Sequence, residues 1–212
     1  MNYKVLPIRK LYCITSNLNN LYIICLHCKV IYGLIYKDIV LRGVIMAEKY
    51  TKQKVYDFLK ENNIQYEVLE HEVVSTMEEM DAAGITQKGT VCKNMFMRDY
   101  KGKNHFLLTV PEQKHVDLKA LAEYIGSSKL SFASAERLDK YLGLTQGSVS
   151  PLGLLNNEDK SVVMIFDRDL VGNEEVGVHP NENTATIWLK FSDLKKIIED
   201  HGNEIIFAKF TE

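Results

Sequence analysis

Cysteine is scarce in this chain and poorly placed for cross-linking. Of four cysteines in 212 residues, Cys13, Cys25 and Cys28 crowd into the N-terminal segment and Cys92 stands alone. That distribution excludes a disulfide-stapled secreted scaffold. Cys25-Leu26-His27-Cys28 has the C-x-x-C spacing of a zinc or redox pair, but no second ligand pair follows at a suitable distance. No Gly-x-Ser-x-Gly occurs, which removes the strained nucleophile elbow. No Gly-Lys-Ser/Thr occurs either, which removes the phosphate-binding P-loop. Long apolar runs are missing: residues 21–36 are broken by His27 and Lys29 and fall short of a clean membrane span. No uninterrupted apolar core leads into a small-residue cleavage site, so a secretory signal is not supported. Beyond residue 46 there is no internal repeat and no low-complexity linker. A cytoplasmic protein without a membrane partner is the expectation.

What remains is a chain with 46% hydrophobic and 25% charged residues, enough for one substantial core. Its net charge of -2 conceals an asymmetry. Residues 1–45 hold six basic residues and one acid (+5), leaving 20 basic and 27 acidic residues (-7) in 46–212. An acidic main domain cannot coat nucleic acid generally and would need a local basic patch. The first 45 residues differ in composition too, being rich in Ile, Tyr, Leu, Asn and Lys. Met46-Ala47-Glu48-Lys49 reads like a natural start, and Arg42-Gly43 could be encoded by a purine-rich ribosome-binding site. Residues 1–45 are therefore expected to be a non-native upstream extension or a disordered segment, and 46–212 the folded domain.

Periodicity in that domain alternates between helix and strand. Helices are expected over 51–62, from a Ser75-x-x-Glu78 capping box to near Gly84, and over 116–125, 134–142 and 191–201. Strands are expected over 66–70, 90–98, 105–110, 129–132, 161–167, 174–178, 184–189 and 204–210, with a hairpin across residues 99–103. Hairpins interleaved irregularly with helices give an α+β fold with a mixed sheet.

Three features could carry chemistry. Gly147-Ser148-Val149-Ser150-Pro151-Leu152-Gly153 combines conformational freedom, one rigid position and a run of backbone amides, which suits gripping a small polar group. The same residues also suit an ordinary Gly/Pro turn. Lys93 interrupts the apolar strand Val91-Cys92-Lys93-Asn94-Met95-Phe96-Met97, so it is either an outward lysine or a cation aimed into a pocket. Asn94 should then face the opposite side and support neighbouring backbone. His179, ahead of Pro180 in a polar loop, is either a solvent-facing or structural histidine, or a pocket wall or proton-transfer residue. Cys92 reads as a small buried residue, not a nucleophile.

Taken in order, Cys92-Lys93-Asn94-Met95-Phe96-Met97-Arg98-Asp99, the 147–153 loop and Gly177-Val178-His179-Pro180-Asn181-Glu182-Asn183-Thr184-Ala185-Thr186 resemble the YbaK/ProX family of aminoacyl-tRNA editing domains. The likeness is to its free-standing branch, which deacylates alanyl-tRNA(Pro), and extends over roughly residues 51–210. It implies an α+β fold with a mixed, partly barrel-like sheet and surrounding helices. It also implies a pocket for the 3′-terminal adenosine and its esterified amino acid. Carried onto this chain, the resemblance makes Lys93, Gly147 and His179 the catalytic positions. Asn94, Ser148, Val149, Ser150, Pro151, Asn183 and Thr184 become substrate-binding positions. No persuasive metal site is present in the sequence, and no cofactor and no metal are expected. The partners implied by the resemblance are the acceptor end of mischarged tRNA(Pro) and, as a second partner, prolyl-tRNA synthetase. Tip contacts would come from Lys93 and from Lys88, Arg98, Lys101 and Lys103, which equally suit a solvated turn. Since no serine or cysteine has a base at a motif spacing, water is the expected nucleophile, activated by the substrate's own 2′-hydroxyl. A deacylase for cysteine or serine, or a silent binding module, remain the alternatives.

Overall fold

The computed structural model describes residues 12–15, 21–24, 49–74 and 76–210. The chain divides into two units, Met1–Glu48 and Lys49–Glu212. In the first, Tyr12–Thr15 and Leu21–Ile24 pair antiparallel, with Tyr12 opposite Ile24. The C-x-x-C pair and the expected start at Met46 lie outside the described residues, as does Ser75.

The second unit carries eight strands and five helices among its described residues. They run α1 (Lys52–Glu61), β1 (Tyr66–Glu70), α2 (Met77–Ala82), β2 (Thr90–Arg98), β3 (His105–Pro111), α3 (Leu118–Tyr124), β4 (Ser131–Phe132), α4 (Ala135–Leu142), β5 (Val162–Asp167), β6 (Val176–Val178), β7 (Ala185–Leu189), α5 (Phe191–His201) and β8 (Ile205–Ala208). The sheet order is β8-β5-β3-β2-β6-β7-β1, with β4 branching from β2. The β8–β5, β5–β3 and β2–β6 pairs are parallel and the others antiparallel, so the sheet is mixed, as expected.

Strands β3 and β5 are buried along nearly their whole length because helices cover both faces. Their pleat sorts side chains between two apolar clusters. Leu107, Met164 and Phe166 face α1, α4 and α5 through Leu59, Leu138, Phe191 and Leu194. Phe106, Leu108 and Ile165 face α3 through Leu121 and Ala122.

Caps set the helix ends. The Ser134 hydroxyl opens α4 by accepting from the Arg137 amide, and Gly143 closes it at φ +64°. Asp117 opens α3 by accepting from the amides of Lys119 and Ala120 at 2.8 and 3.2 Å. The capping box of α2 lies one residue later than the sequence suggested: Thr76 and Glu79 exchange the two bonds, each 3.2 Å. Adjacent Ser-Thr and Glu-Glu pairs satisfy the box pattern in either register, and the extended backbone at Thr76 selects the second.

The β2–β3 hairpin turns where expected. Asp99 accepts from the Lys103 amide and the Asn104 side chain, and Gly102 takes φ +65°. Arg137 of α4 ties this turn down, donating from Nη1 to the Gly102 carbonyl at 3.0 Å and to His105 Nε2 at 2.8 Å. His105 is 1% exposed. Its ring stacks on Phe96 and lies 4.0 Å from that of Tyr141. Burial, then the Arg137 charge, push its pKa down, so the ring is held neutral with Nε2 as acceptor.

Candidate functional site

The parallel ladder between β2 and β6 is two rungs long: Thr90 opposite Val176 and Val91 opposite Gly177. Beyond it β2 regains a partner on that edge from Phe96 onward, where the Ala133 amide binds the Phe96 carbonyl at 3.0 Å and β4 pairs with Met97 and Arg98. Between these points β2 has an open edge, and a cavity of about 330 Å³ occupies the opening. Lys93 and His179 each sit two residues past the last rung, so the diverging strands bring both to the cavity wall.

Lys93 is half-buried and its Nζ donates to the backbone carbonyl of Glu112 at 2.7 Å. That carbonyl is within reach because the Glu112 amide binds the Val91 carbonyl at 2.8 Å, carrying the hairpin pairing past Pro111. Lys93 is thus a pocket cation, not an outward one. Asn94 also borders the cavity. Its Oδ1 accepts from the cross-strand Thr109 hydroxyl at 2.6 Å. The expected support of neighbouring backbone is therefore replaced by a side-chain pair within one rung of the hairpin.

The His179 Nδ1 lies 3.1 Å from the Ala185 carbonyl. A carbonyl only accepts, so Nδ1 carries the proton and Nε2 of the neutral ring is an acceptor. Burial lowers its pKa, the Ala185 bond raises it, and His71, with its ring centroid 6.4 Å away, lowers it further. The balance is downward and keeps His179 neutral near pH 7. His71 itself bonds the Thr186 hydroxyl at 3.0 Å, and Thr186 lines the cavity.

Gly147 borders the cavity at φ +86°. A Cβ there would meet only Asn183 Nδ2, at 3.8 Å, so backbone conformation and not space demands glycine. Val149 contributes an apolar wall. Asn183 donates from Nδ2 to the Val74 carbonyl at 2.8 Å, while its buried Oδ1 has no partner among the described residues.

Four of the sequence-designated positions lie behind this wall. Ser148 folds onto its own turn, donating to the Thr145 carbonyl at 3.0 Å. Ser150 is fully buried, donates to the His179 carbonyl at 2.5 Å and accepts from the Leu152 amide at 3.2 Å. Pro151 opens the buried 3-10 turn Pro151–Asn156. Thr184 accepts from Lys52 Nζ at 3.0 Å and faces Glu182. The loop hydroxyls are thus consumed within their own turn, at Ser148, or in bridging to the His179 loop, at Ser150, and do not line the cavity. Lys93, Asn94, Gly147, Val149, His179 and Asn183 do line it.

Several lining residues escaped the sequence reading. Glu112 is the main one, a half-buried carboxylate whose pKa is raised by burial and partly pulled back by Lys93. The signal was available: it follows the proline that ends β3, opposite the start of β2. Val74, Met80 and Ile85 form an apolar side from the α2 region, and Gly177 and Thr186 face them from β6 and β7. Cys92 also lines the cavity, but burial pushes its thiol up to about 12, which removes it as a thiolate nucleophile.

Apart from Lys93, the basic residues expected to contact tRNA do not border the cavity. Lys88 pairs with Glu67 and lies 5.5 Å over the Trp188 ring. Arg98 caps the hairpin carbonyls of Asp99 and Tyr100 at 3.0 and 2.8 Å. Lys101 and Lys103 are exposed at the turn. Among the described residues no group of three or more His, Cys, Asp or Glu side chains could hold a metal, and no helix is long and apolar enough to cross a membrane.

Comparison with known proteins follows the same lines. Residues 71–197, which carry most of the cavity wall, match the family described as the aminoacyl-tRNA editing domain. The chain is 48% identical over 152 residues to the prolyl-tRNA editing protein ProX of Acetoanaerobium sticklandii, covering 72% of this chain and 93% of that protein. It is 31% identical over 170 residues to the prolyl-tRNA synthetase associated domain-containing protein 1 of Danio rerio, covering 79% of this chain and 92% of that one. A crystal structure of a candidate trans-editing enzyme for prolyl tRNA synthetase superposes with a TM-score of 0.59 at 21% identity, covering 76% of this chain and 96% of the other, and so shares its fold. By sequence and by fold, the chain belongs to the aminoacyl-tRNA editing domain family.

Proposed function

We propose that this protein is a free-standing editing enzyme that removes alanine from mischarged alanyl-tRNA(Pro). The broader statement rests on family membership: it is an aminoacyl-tRNA deacylase, a carboxylic ester hydrolase. The finer one rests above all on the cavity itself. At about 330 Å³, shared between an aminoacyl group and the ribose it is attached to, it favours a small side chain. Val149, Val178, Ile85 and Met80 supply apolar bulk, and His179 narrows the wall. A synthetase built for proline cannot reject alanine strongly by size, because each missing methylene yields only about 1–3 kcal/mol of discrimination. A second sieve that admits alanine and refuses proline supplies what the first lacks.

In the mechanism, the Lys93 ammonium, anchored on the Glu112 carbonyl, and the backbone of the Gly147 loop meet the ester end of the substrate. They favour the negative charge that develops on the carbonyl oxygen as water attacks. Cys92 is held as a thiol and the loop serines are bonded elsewhere, so the nucleophile is water, activated by the 2′-hydroxyl of the terminal ribose. Neutral His179 shapes the amino-acid end.

The acceptor end of tRNA(Pro) is the partner in this reading, and the cytoplasm its setting. Prolyl-tRNA synthetase is the protein beside which it acts, in keeping with the names of its relatives. From the break in composition before Met46, we propose that residues 1–45 are a non-native upstream extension or a disordered segment. Intact-mass measurement of the natively expressed protein tests the first of these, and a mass that includes Met1 refutes it.

A deacylation panel with alanyl-, cysteinyl-, seryl- and prolyl-tRNA(Pro) decides the substrate. Preference for the alanyl ester is expected. Preference for cysteine or serine refutes alanine specificity, and inactivity on all four refutes catalysis. Lys93→Ala should lower the rate on the order of 100-fold or more with the fold intact.

A further inference from the structure

The polar groups around the cavity are unevenly matched. Lys93 already gives a proton to the Glu112 carbonyl. Three acceptors, by contrast, have none to receive. The Glu112 carboxylate has no hydrogen bond or ion pair among the described residues, although the Lys93 charge acts on it. Asn183 Oδ1 is buried and unpartnered. His179 Nε2 is left as an acceptor by the bond at Nδ1. All three residues line the same cavity. A half-buried carboxylate and a buried amide oxygen without donors are costly arrangements, and are retained where a ligand brings the donors.

We infer that this acceptor group is the seat of the substrate's α-ammonium, with Glu112 as the residue that selects an aminoacyl ester whose amino group is free. The inference rests on the aminoacyl-ester reading above and adds the part of the substrate that it left unassigned. An α-ammonium brings three donors and one positive charge, matching one carboxylate, one amide oxygen and one imidazole nitrogen. Glu112 can serve both cations: its carbonyl holds the lysine and its carboxylate is left for the incoming one. An N-acylated or peptidyl ester lacks the charge and two of the donors, and places a carbonyl against the carboxylate. The site therefore spares peptidyl-tRNA and N-formylated initiator tRNA by chemistry as well as by size.

The test compares the whole chain with Glu112→Gln on alanyl-tRNA(Pro) and N-acetyl-alanyl-tRNA(Pro) in single-turnover deacylation. Glutamine keeps the shape and the backbone carbonyl that holds Lys93. The variant should lose about 10- to 100-fold on the free-amine ester, as expected for a charged hydrogen bond, and under about threefold on the acetylated one. Equal losses on both substrates, or none on either, overturn the inference. Calorimetric binding of a non-hydrolysable alanyl amide of 3′-amino-adenosine and its N-acetyl counterpart separates this outcome from failure of the enzymatic reading. A wild-type preference for the free amine that Glu112→Gln abolishes upholds the ammonium seat even if no ester is cleaved. Equal wild-type affinity for both analogues overturns it even if the ester is cleaved.

Discussion

Ser150→Ala tests how the cavity is held together. The Ser150 hydroxyl is fully buried and bridges two chain segments, giving its proton to the His179 carbonyl at 2.5 Å and receiving one from the Leu152 amide at 3.2 Å. Alanine fits the space but removes both partners at once. Two buried backbone groups are then unsatisfied, each at a cost of about 1–3 kcal/mol. Some relaxation toward each other or toward water is available, so a total of about 2–4 kcal/mol is expected. In a domain of this size each kcal/mol moves the melting temperature by about 2–4 °C, so the midpoint should fall by roughly 4–16 °C. Deacylation should fall further than stability predicts, because the His179 carbonyl is released and the ring, fixed at Nδ1 by the Ala185 carbonyl, loses one of its two anchors. Thermal melting and single-turnover deacylation of the folded variant at a temperature well below its midpoint separate the two effects. Ser150→Thr, which retains the hydroxyl, should recover most of the catalytic loss if the pocket tolerates the added methyl. If Ser150→Ala melts within 1 °C of the parent and deacylates normally, the strap is not structural and the reasoning fails.

Other expectations follow from the same geometry. Gly147→Ala meets little steric obstruction but must hold alanine at φ +86°, which costs about 1–2 kcal/mol; a melting temperature equal to the parent would show that the loop does not need that conformation. The folded-state pKa of His105 is depressed, so its contribution to stability is present above the unfolded value near pH 6.5 and is lost as pH falls below it. Denaturant midpoints should therefore drop between pH 7.5 and 5.5, with His179 adding the same sign, and the drop should be smaller in His105→Gln. An unchanged pH dependence in that variant would contradict a neutral His105. Because burial lowers its pKa from an ordinary value already below 7, His179 is neutral between pH 7 and 8, so deacylation should be insensitive to pH there as far as this residue is concerned, and His179→Ala should widen the substrate range toward larger side chains without steepening the profile.

Much of the fold was legible because each element announced its own ends. Ser134 and Gly143 bracket α4, and the turn through Asp99 and Gly102 sets the hairpin, so local chemistry sufficed. The site was legible in part. Lys93 stood out as a cation in an apolar strand, and Gly147 as a flexible position ahead of a rigid one. What the sequence could not assign were partners distant along the chain. Whether a loop hydroxyl faces a ligand or another loop depends on where residue 179 comes to lie, and Ser150 faces His179. Glu112 was passed over because a single acid after a strand-ending proline looks like any solvated turn; only the pairing of its amide with Val91 turns it toward the cavity. His105 and Arg137, 32 residues apart, likewise meet only through tertiary packing.

The short ladder between β2 and β6 has a consequence for how such a pocket can change. Continuing its register would set Lys93 opposite His179 and Asn94 opposite Pro180. Proline has no amide proton and cannot extend a ladder. Zipping the two strands past that rung is thus barred by a covalent property of one residue, whatever side chains line the gap. Those side chains are free to vary in size while the opening itself persists. A fold arranged in this way can be retuned from one small amino acid to another by changing the walls, with the doorway left in place.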